Sequence, residues 1–234
     1  MSHFRVSVVI PTLNEAASIS SVIRRLRNTL PECEVIVVDS SDDGTDRIAS
    51  LEGARVIKQG KRGYGAALKS GIESATGEFV LFMDGDGTYD PSDIPKLLET
   101  LVNGSADLVL GCRFRSKPKN MSLGRYVGNV VLSMLFSLLF WARVKDTQTG
   151  MKGARRETLL KMNLNEEGMQ FSTEVLTKAL KHGFRVLELN IKYHERTGES
   201  KLKPLRDGFG IMWFIVKERL SKAGPAIFSR SQVF

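Results

Sequence analysis

Asp84 and Asp86 close the apolar run Phe79-Val-Leu-Phe-Met83, one glycine apart. Two carboxylates that close repel each other. A shared hard cation such as Mg2+ or Mn2+, its shell completed by phosphate oxygens, relieves that repulsion. Gly85 and Gly87 let the backbone turn around them. The plainer alternative is an Asp/Gly turn of the kind that follows many strands. Other metal chemistry has little to draw on: Cys33 and Cys112 form no ligand pattern, and His3, His182 and His194 are scattered.

Continuous apolar runs such as 79–83 are how strands read when a sheet is covered on both faces. In such sheets ligands collect beyond the carboxyl ends of the strands, so the paired aspartates are expected at a rim. Val6 to Ile10, Glu34 to Asp39, Arg55 to Ile57 and Asp107 to Gly111 read as further strands. Helical spacing follows at Ile19, Val22, Ile23 and Leu26, in the alanine-rich 66–75, and at Ile94, Leu97, Leu98 and Leu101. This alternation predicts an α/β domain with a mostly parallel, doubly wound sheet. No repeat or linker divides the 234 residues, so a single domain is expected, with a first half over 1–112, a second over 113–204 and a tail over 205–234.

The net charge of +8 favours an anionic partner, whether nucleotide, nucleic acid or anionic membrane surface. Residues 127–142 carry no charge. Sixteen helical residues span about 24 Å, short of a hydrocarbon core of about 30 Å. Arg125, Asn129, Ser133 and Ser137 recur every fourth residue, a polar seam that a spanning helix does not need. An amphipathic interfacial helix is expected, a buried core helix being the alternative. Phe209 to Val216, with Trp213 and basic flanks, suits a membrane surface or a docked terminal helix. No signal peptide and no full transmembrane span are read, and aromatics are too sparse among the basic residues for a nucleic-acid partner.

Pro11-Thr-Leu-Asn-Glu15, Val37-Val-Asp-Ser-Ser-Asp-Asp-Gly-Thr45, Gly63-Tyr-Gly65 and Asp84-Gly-Asp86 together resemble the family 2 glycosyltransferases of GT-A, Rossmann-like fold. The resemblance implies that Asp84 and Asp86 hold the metal on a nucleotide sugar's diphosphate and that Asp39 meets the base or ribose. Pro11, Thr12, Asn14 and Glu15 match the loop under the nucleotide. Ser41, Lys61, Gly65 and Gly85 join the implied nucleotide site. The second half resembles the branch that acts on dolichyl or other polyprenyl phosphates, through Leu110-Gly-Cys-Arg113, Ser122-Leu-Gly-Arg125 and Tyr193-His-Glu-Arg-Thr-Gly-Glu-Ser-Lys201. Asp146-Thr-Gln-Thr-Gly-Met-Lys152 is similar to the Asp-Thr-Gln-Cys-Gly-Phe-Lys of dolichyl-phosphate glucosyltransferases. Thr88 stands where mannosyltransferases of the branch usually carry Gln.

What this implies is inverting transfer of a hexose at the cytoplasmic membrane face by a peripheral or monotopic enzyme. UDP-glucose or UDP-N-acetylglucosamine is favoured over GDP-mannose. Arg113, Arg125 and Arg196, with Asn129 and Lys201, are the implied acceptor-phosphate site, since guanidinium grips phosphate in two places at once. A saccharide hydroxyl as acceptor is the alternative; it needs a base, and Glu174 is the candidate.

Overall fold

A computed structural model describes residues 4–60, 63–114, 118, 121–198 and 204–221. Lys61 and Lys201 of the expected site lie outside these residues. Seven strands form one sheet: β1 (Val6–Thr12), β2 (Glu34–Asp39), β3 (Arg55–Lys58), β4 (Phe79–Phe82), β5 (Leu108–Cys112), β6 (Lys152–Arg155) and β7 (Val186–Asn190). They lie in the order β3-β2-β1-β4-β6-β5-β7. All pairings are parallel except those of β6, which runs antiparallel to both β4 and β5. Neither β6 nor β7 is expected from the sequence. Lys152-Gly-Ala-Arg155 lacks the branched apolar run that marks the other interior strands, and its place between two of them is what makes it extended.

Strand alternation divides the apolar residues between two cores. Val8, Ile10, Val37 and Leu81 face α1 (Ile19–Thr29), α2 (Thr45–Leu51) and α4 (Ile94–Val102). Val9, Ile36, Val38 and Phe82 face α3 (Tyr64–Ser74), α5 (Leu123–Phe140) and α7 (Phe171–Lys181). A short helix, α6 (Arg156–Lys161), follows β6, and α8 (Pro204–Leu220) packs on α5 and α7.

This topology brings one rim together. The C-terminal ends of β1, β2, β3, β4, β5 and β7 point the same way, and antiparallel β6 begins there. Thr12, Asp39, Lys58, Asp84, Arg113 and Lys152 are therefore neighbours along a single edge.

The polar seam of α5 faces inward. The Ser133 hydroxyl accepts the Thr147 N–H (3.1 Å), and Ser137 both accepts from the Val144 N–H and donates to its carbonyl (3.3 and 3.1 Å). The opposite side exposes Leu123, Val127, Val131, Met134, Leu138 and Trp141. At 18 residues α5 is longer than the 127–142 reading and is the one described helix long and apolar enough to cross a membrane by length and composition. Its seam ties it to the domain. On α8, Ile211, Phe214 and Ile215 are buried while Phe209, Met212, Trp213 and Leu220 are exposed. One side of the helix is therefore docked on the domain, and the other is open to the exterior.

Candidate active site

Two loops form the floor. The 13–16 loop after β1 is stitched to the turn after β2: the Asn14 N–H donates to Ser41 Oγ (2.7 Å), Glu15 N–H to Thr45 Oγ1 (3.0 Å) and Ala16 N–H to Asp43 (3.1 Å). Asn14 returns a bond by accepting the Asp42 N–H (3.1 Å). Pro11 sits past Val9, where the pairing of β1 with β4 stops. Asp39 is fully buried, and its carboxylate accepts from Thr12 Oγ1 (2.7 Å), Ser41 Oγ (2.5 Å), the Ser41 N–H (3.2 Å) and Lys58 Nζ (3.1 Å). Its lone pairs are spoken for, so a nucleotide reaches Asp39 only by displacing one of these donors.

Gly85 packs on Thr12 and gives its carbonyl to Ser18 Oγ (2.7 Å), which fixes the turn between the two aspartates against the end of β1. Asp84 accepts from Tyr64 Oη (3.3 Å). Burial and the neighbouring Asp86 charge push its carboxyl up to about 6, against the opposing pull of Arg113, Lys152 and the Tyr64 hydroxyl. Gly150 lies directly over this carboxylate. A β-carbon there would fall 2.5 Å from Asp84 Oδ2, so only glycine leaves the oxygens room. This cradle fits a bound cation. No group of three His, Cys, Asp or Glu side chains is placed to hold a metal ion among the described residues.

Asp86 is engaged on both oxygens. Oδ1 accepts the Thr88 N–H (3.0 Å) and hydroxyl (2.6 Å); Oδ2 accepts Arg196 Nη1 (2.8 Å). Thr88, noted as a departure from the usual Gln, is thus the residue that orients Asp86. Arg196 also donates to Glu15 Oε1 (2.5 Å). Its segment runs beside 86–89: the Thr197 N–H bonds the Asp86 carbonyl (3.0 Å), His194 N–H the Thr88 carbonyl (2.7 Å), and Tyr193 bridges to Tyr89.

Arg113 reaches the same place by another route. It grips Asp146 through Nε and Nη2 and stacks over Tyr193 and Phe114 at 5.4 and 5.2 Å. Tyr126, next to Arg125 at the start of α5, meets Phe114 edge-on at 5.4 Å. Arg125 and Asn129 are half-buried there. The Asn129 amide meets Met121 Sδ at 3.9 Å, and no ion pair of Arg125 is found among the described residues. Buried Lys152 donates to the Thr149 carbonyl; burial, reinforced by Arg113, brings its ammonium down to about 7 although Asp146 and Asp84 favour the charge.

Two expected residues are engaged by the protein itself. Glu174 is buried with its carboxylate committed to the Asn165 and Glu166 N–H groups (2.8 and 2.9 Å) and to Lys178 (2.8 Å). It anchors a loop. Gly65 is filled by that same loop: a β-carbon would lie 2.4 Å from the Glu166 carbonyl. Its missing side chain makes room for that loop. Conversely, Asp146, Tyr64 and Gly150 had no assigned role. The 146–152 stretch was singled out only by resemblance, and nothing in its spacing says that Asp146 pairs with Arg113.

The profile of the family described as Glycosyl transferase family 2 matches residues 7–160. The chain belongs to that family. Relatives extend the likeness over the second half. A dolichyl-phosphate hexose transferase of Haloferax volcanii is 38% identical over 212 residues, 90% of this chain and 92% of that one. An undecaprenyl-phosphate mannosyltransferase of Micrococcus luteus is 32% identical over 215 residues, 85% and 87% of the two chains. The low-salt glycan biosynthesis hexosyltransferase Agl6 of Haloferax volcanii is 35% identical over 230 residues, and the match covers 95% of this chain but 55% of that protein. Among solved structures, glucosyl-3-phosphoglycerate synthase of Mycobacterium tuberculosis, crystallised with Mn2+, UDP and glucosyl-3-phosphoglycerate, superposes with a TM-score of 0.73 at 24% identity over 96% of this chain and 82% of that one. At that identity the likeness concerns the fold, which is GT-A. This family 2 enzyme is accordingly a glycosyltransferase whose crevice lies where the fold places it, at the carboxyl edge of the sheet.

Proposed function

We propose that this glycosyltransferase moves a hexose, with inversion, from a nucleotide sugar to the phosphate of dolichyl or another polyprenyl phosphate, at the cytoplasmic face of a membrane. Asp84 and Asp86 would hold Mg2+ or Mn2+, as Mn2+ accompanies UDP in the solved relative. Bound there, the ion supplies neutralisation of the charge that develops on the leaving diphosphate. The observation that carries the reading is the meeting of Arg196 on Asp86 with Arg113 and the opening of α5. Guanidinium groups beside the metal aspartates suit an anionic acceptor.

A phosphate monoester has a second pKa of about 6 and is largely ionised at pH 7, so it attacks without a base. That agrees with the committed carboxylate of Glu174 and disfavours a hydroxyl acceptor. The exposed apolar stripes of α5 and α8, bordered by exposed Arg143, Lys217 and Arg219, suit an anionic membrane surface holding the lipid. Similarity at 146–152 and Thr88 at the Gln position favour UDP-glucose or UDP-N-acetylglucosamine over GDP-mannose.

The test is transfer of radiolabel from UDP-glucose, UDP-N-acetylglucosamine or GDP-mannose into butanol-soluble lipid, with polyprenyl phosphate and Mn2+ supplied. Label that enters only water-soluble saccharide, with every donor, would refute the lipid acceptor.

A further inference from the structure

The guanidinium that this reading gives to the acceptor is bound in the structure to a metal aspartate. Arg196 holds Asp86 Oδ2 and Glu15 Oε1 together, at 2.8 and 2.5 Å. Asp86 Oδ1 already has two donors from Thr88. A divalent ion arriving at Asp86 therefore meets a resident cation on the one oxygen still shared. Two like charges on the same oxygen repel, so the ion's arrival weakens the Arg196 pair. The Arg196 side chain has somewhere to go. Its Nε is buried with no hydrogen-bond partner among the described residues, a donor left for a ligand. Gly198, two residues on, takes φ +82, which glycine adopts without strain, and no described atom lies within 4 Å of where its β-carbon would be. The neighbouring backbone bonds of His194 and Thr197 keep the segment at the site meanwhile.

We propose that Arg196 is exchanged between Asp86 and the acceptor's phosphate, so that the divalent ion and a phosphate-monoester acceptor bind with positive coupling. This rests on the proposed metal and acceptor. Before the ion binds, Asp86 keeps Arg196 from the acceptor; afterwards Arg196 is released to it. Thermodynamic linkage makes the effect mutual: acceptor that captures Arg196 must also tighten the ion. No bond is made or broken, and the device favours loading donor and ion before the lipid phosphate.

Farnesyl phosphate binding by equilibrium dialysis tests this, in EDTA and in Mn2+ with UDP or GDP. Wild type should bind at least about fivefold more tightly with the ion. Asp86→Asn should bind more tightly in EDTA than wild type does in EDTA, because a neutral amide holds Arg196 less strongly than a carboxylate even though Glu15 keeps its share. Arg196→Met should bind weakly in both conditions. Should that variant melt early, Arg196→Lys takes its place, since one ammonium cannot span Asp86 and Glu15 and its enhancement should shrink. Inorganic phosphate in the same series should repeat the pattern more weakly if the headgroup alone is read.

Two results overturn the exchange: Asp86→Asn no tighter than wild type in EDTA, or full metal enhancement kept by the Arg196 variant. Wild type that binds farnesyl phosphate with no metal enhancement removes the exchange and leaves the acceptor standing. Wild type that binds none in any condition removes the acceptor reading as well.

Discussion

Arg113 and Asp146 form the most enclosed ion pair of the site: Nε meets Oδ2 at 2.7 Å, Nη2 meets Oδ1 at 2.8 Å, and the Arg113 N–H adds a third bond at 3.1 Å. Asp146 is fully buried and the Arg113 side chain is 8% exposed. The pair fastens the end of β5 to the chain entering β6, across the rim from Asp84. Breaking a buried pair by removing one partner costs about 3–5 kcal/mol, more than replacing both with apolar groups.

Asp146→Asn should therefore lower the melting temperature by roughly 6–20 °C for a chain of this size. The double variant Arg113→Met/Asp146→Leu should recover much of that loss in calorimetry while remaining inactive. A double variant less stable than Asp146→Asn would show that the pair is worth more to the fold than its desolvation cost.

Gly150→Ala puts a methyl against the carboxylate of Asp84, 2.5 Å from Oδ2 before anything moves. Asp84 must shift, and a displacement of about 1 Å at a reacting centre can cost about a hundredfold in rate. A fall of that order is expected, with circular dichroism unchanged. Gly128→Ala is the control: it lies within α5 with nothing within 4 Å of the new carbon. It should be neutral or stabilise by about 0.5–1 kcal/mol, as Gly-to-Ala does inside a helix. Equal activities of the two variants would contradict the role given to Gly150.

How much could be read beforehand follows a physical line. β1, β2, β4 and β5 are buried on both faces and so carry unbroken apolar runs, and the rim acids at their ends were legible for that reason. β6 owes its conformation to β4 and β5 on either side, a tertiary cause that leaves little mark on Lys152-Gly-Ala-Arg155. The periodic polar seam of α5 was visible, but only the bonds of Ser133 and Ser137 to 144–147 show that it faces the domain. Glu174 shows the opposite case. An acid at a helix start reads equally well as a base or as a loop anchor, and the choice depends on Asn165 and Glu166, whose approach no local pattern encodes.

Glu174→Gln separates those two roles. A general base contributes about 10²–10⁴-fold to rate. An anchor contributes stability, since a charge-assisted bond is worth about 1.5–3 kcal/mol and glutamine keeps only one of the two acceptor oxygens. The expected outcome is a drop of under about tenfold in kcat, an unchanged pH–rate profile and a lower melting temperature. Loss of the acidic limb of that profile would restore Glu174 as a catalytic base.

The exposed stripes of α5 and α8 make a prediction that leaves the crevice untouched. Leu138 and Trp213 are 72% and 69% exposed, so charge there should cost the fold little. Leu138→Glu/Trp213→Glu should lose flotation with vesicles containing anionic lipid while retaining a wild-type melting temperature. Undiminished flotation would place the lipid-facing surface elsewhere.

Asp90 gives the pH dependence of the segment that carries Arg196. Partial burial raises its carboxyl, but the Ser92 N–H (3.0 Å), His194 Nε2 (3.1 Å) and Arg25 (3.1 Å) together outweigh that and hold it well below the usual carboxylate range. A carboxyl depressed in the folded state stabilises above its unfolded pKa of about 3.9, and the contribution is lost as pH falls through the folded value. Asp90→Asn should thus cost about 1–2 kcal/mol at pH 7. The gap in melting temperature between variant and wild type should stay constant down to about pH 5, narrow progressively below about pH 4 and vanish only as pH falls through the folded value. A gap just as wide at pH 3 as at pH 7 would mean that the charge of Asp90 does not hold His194 and the 193–197 segment in place.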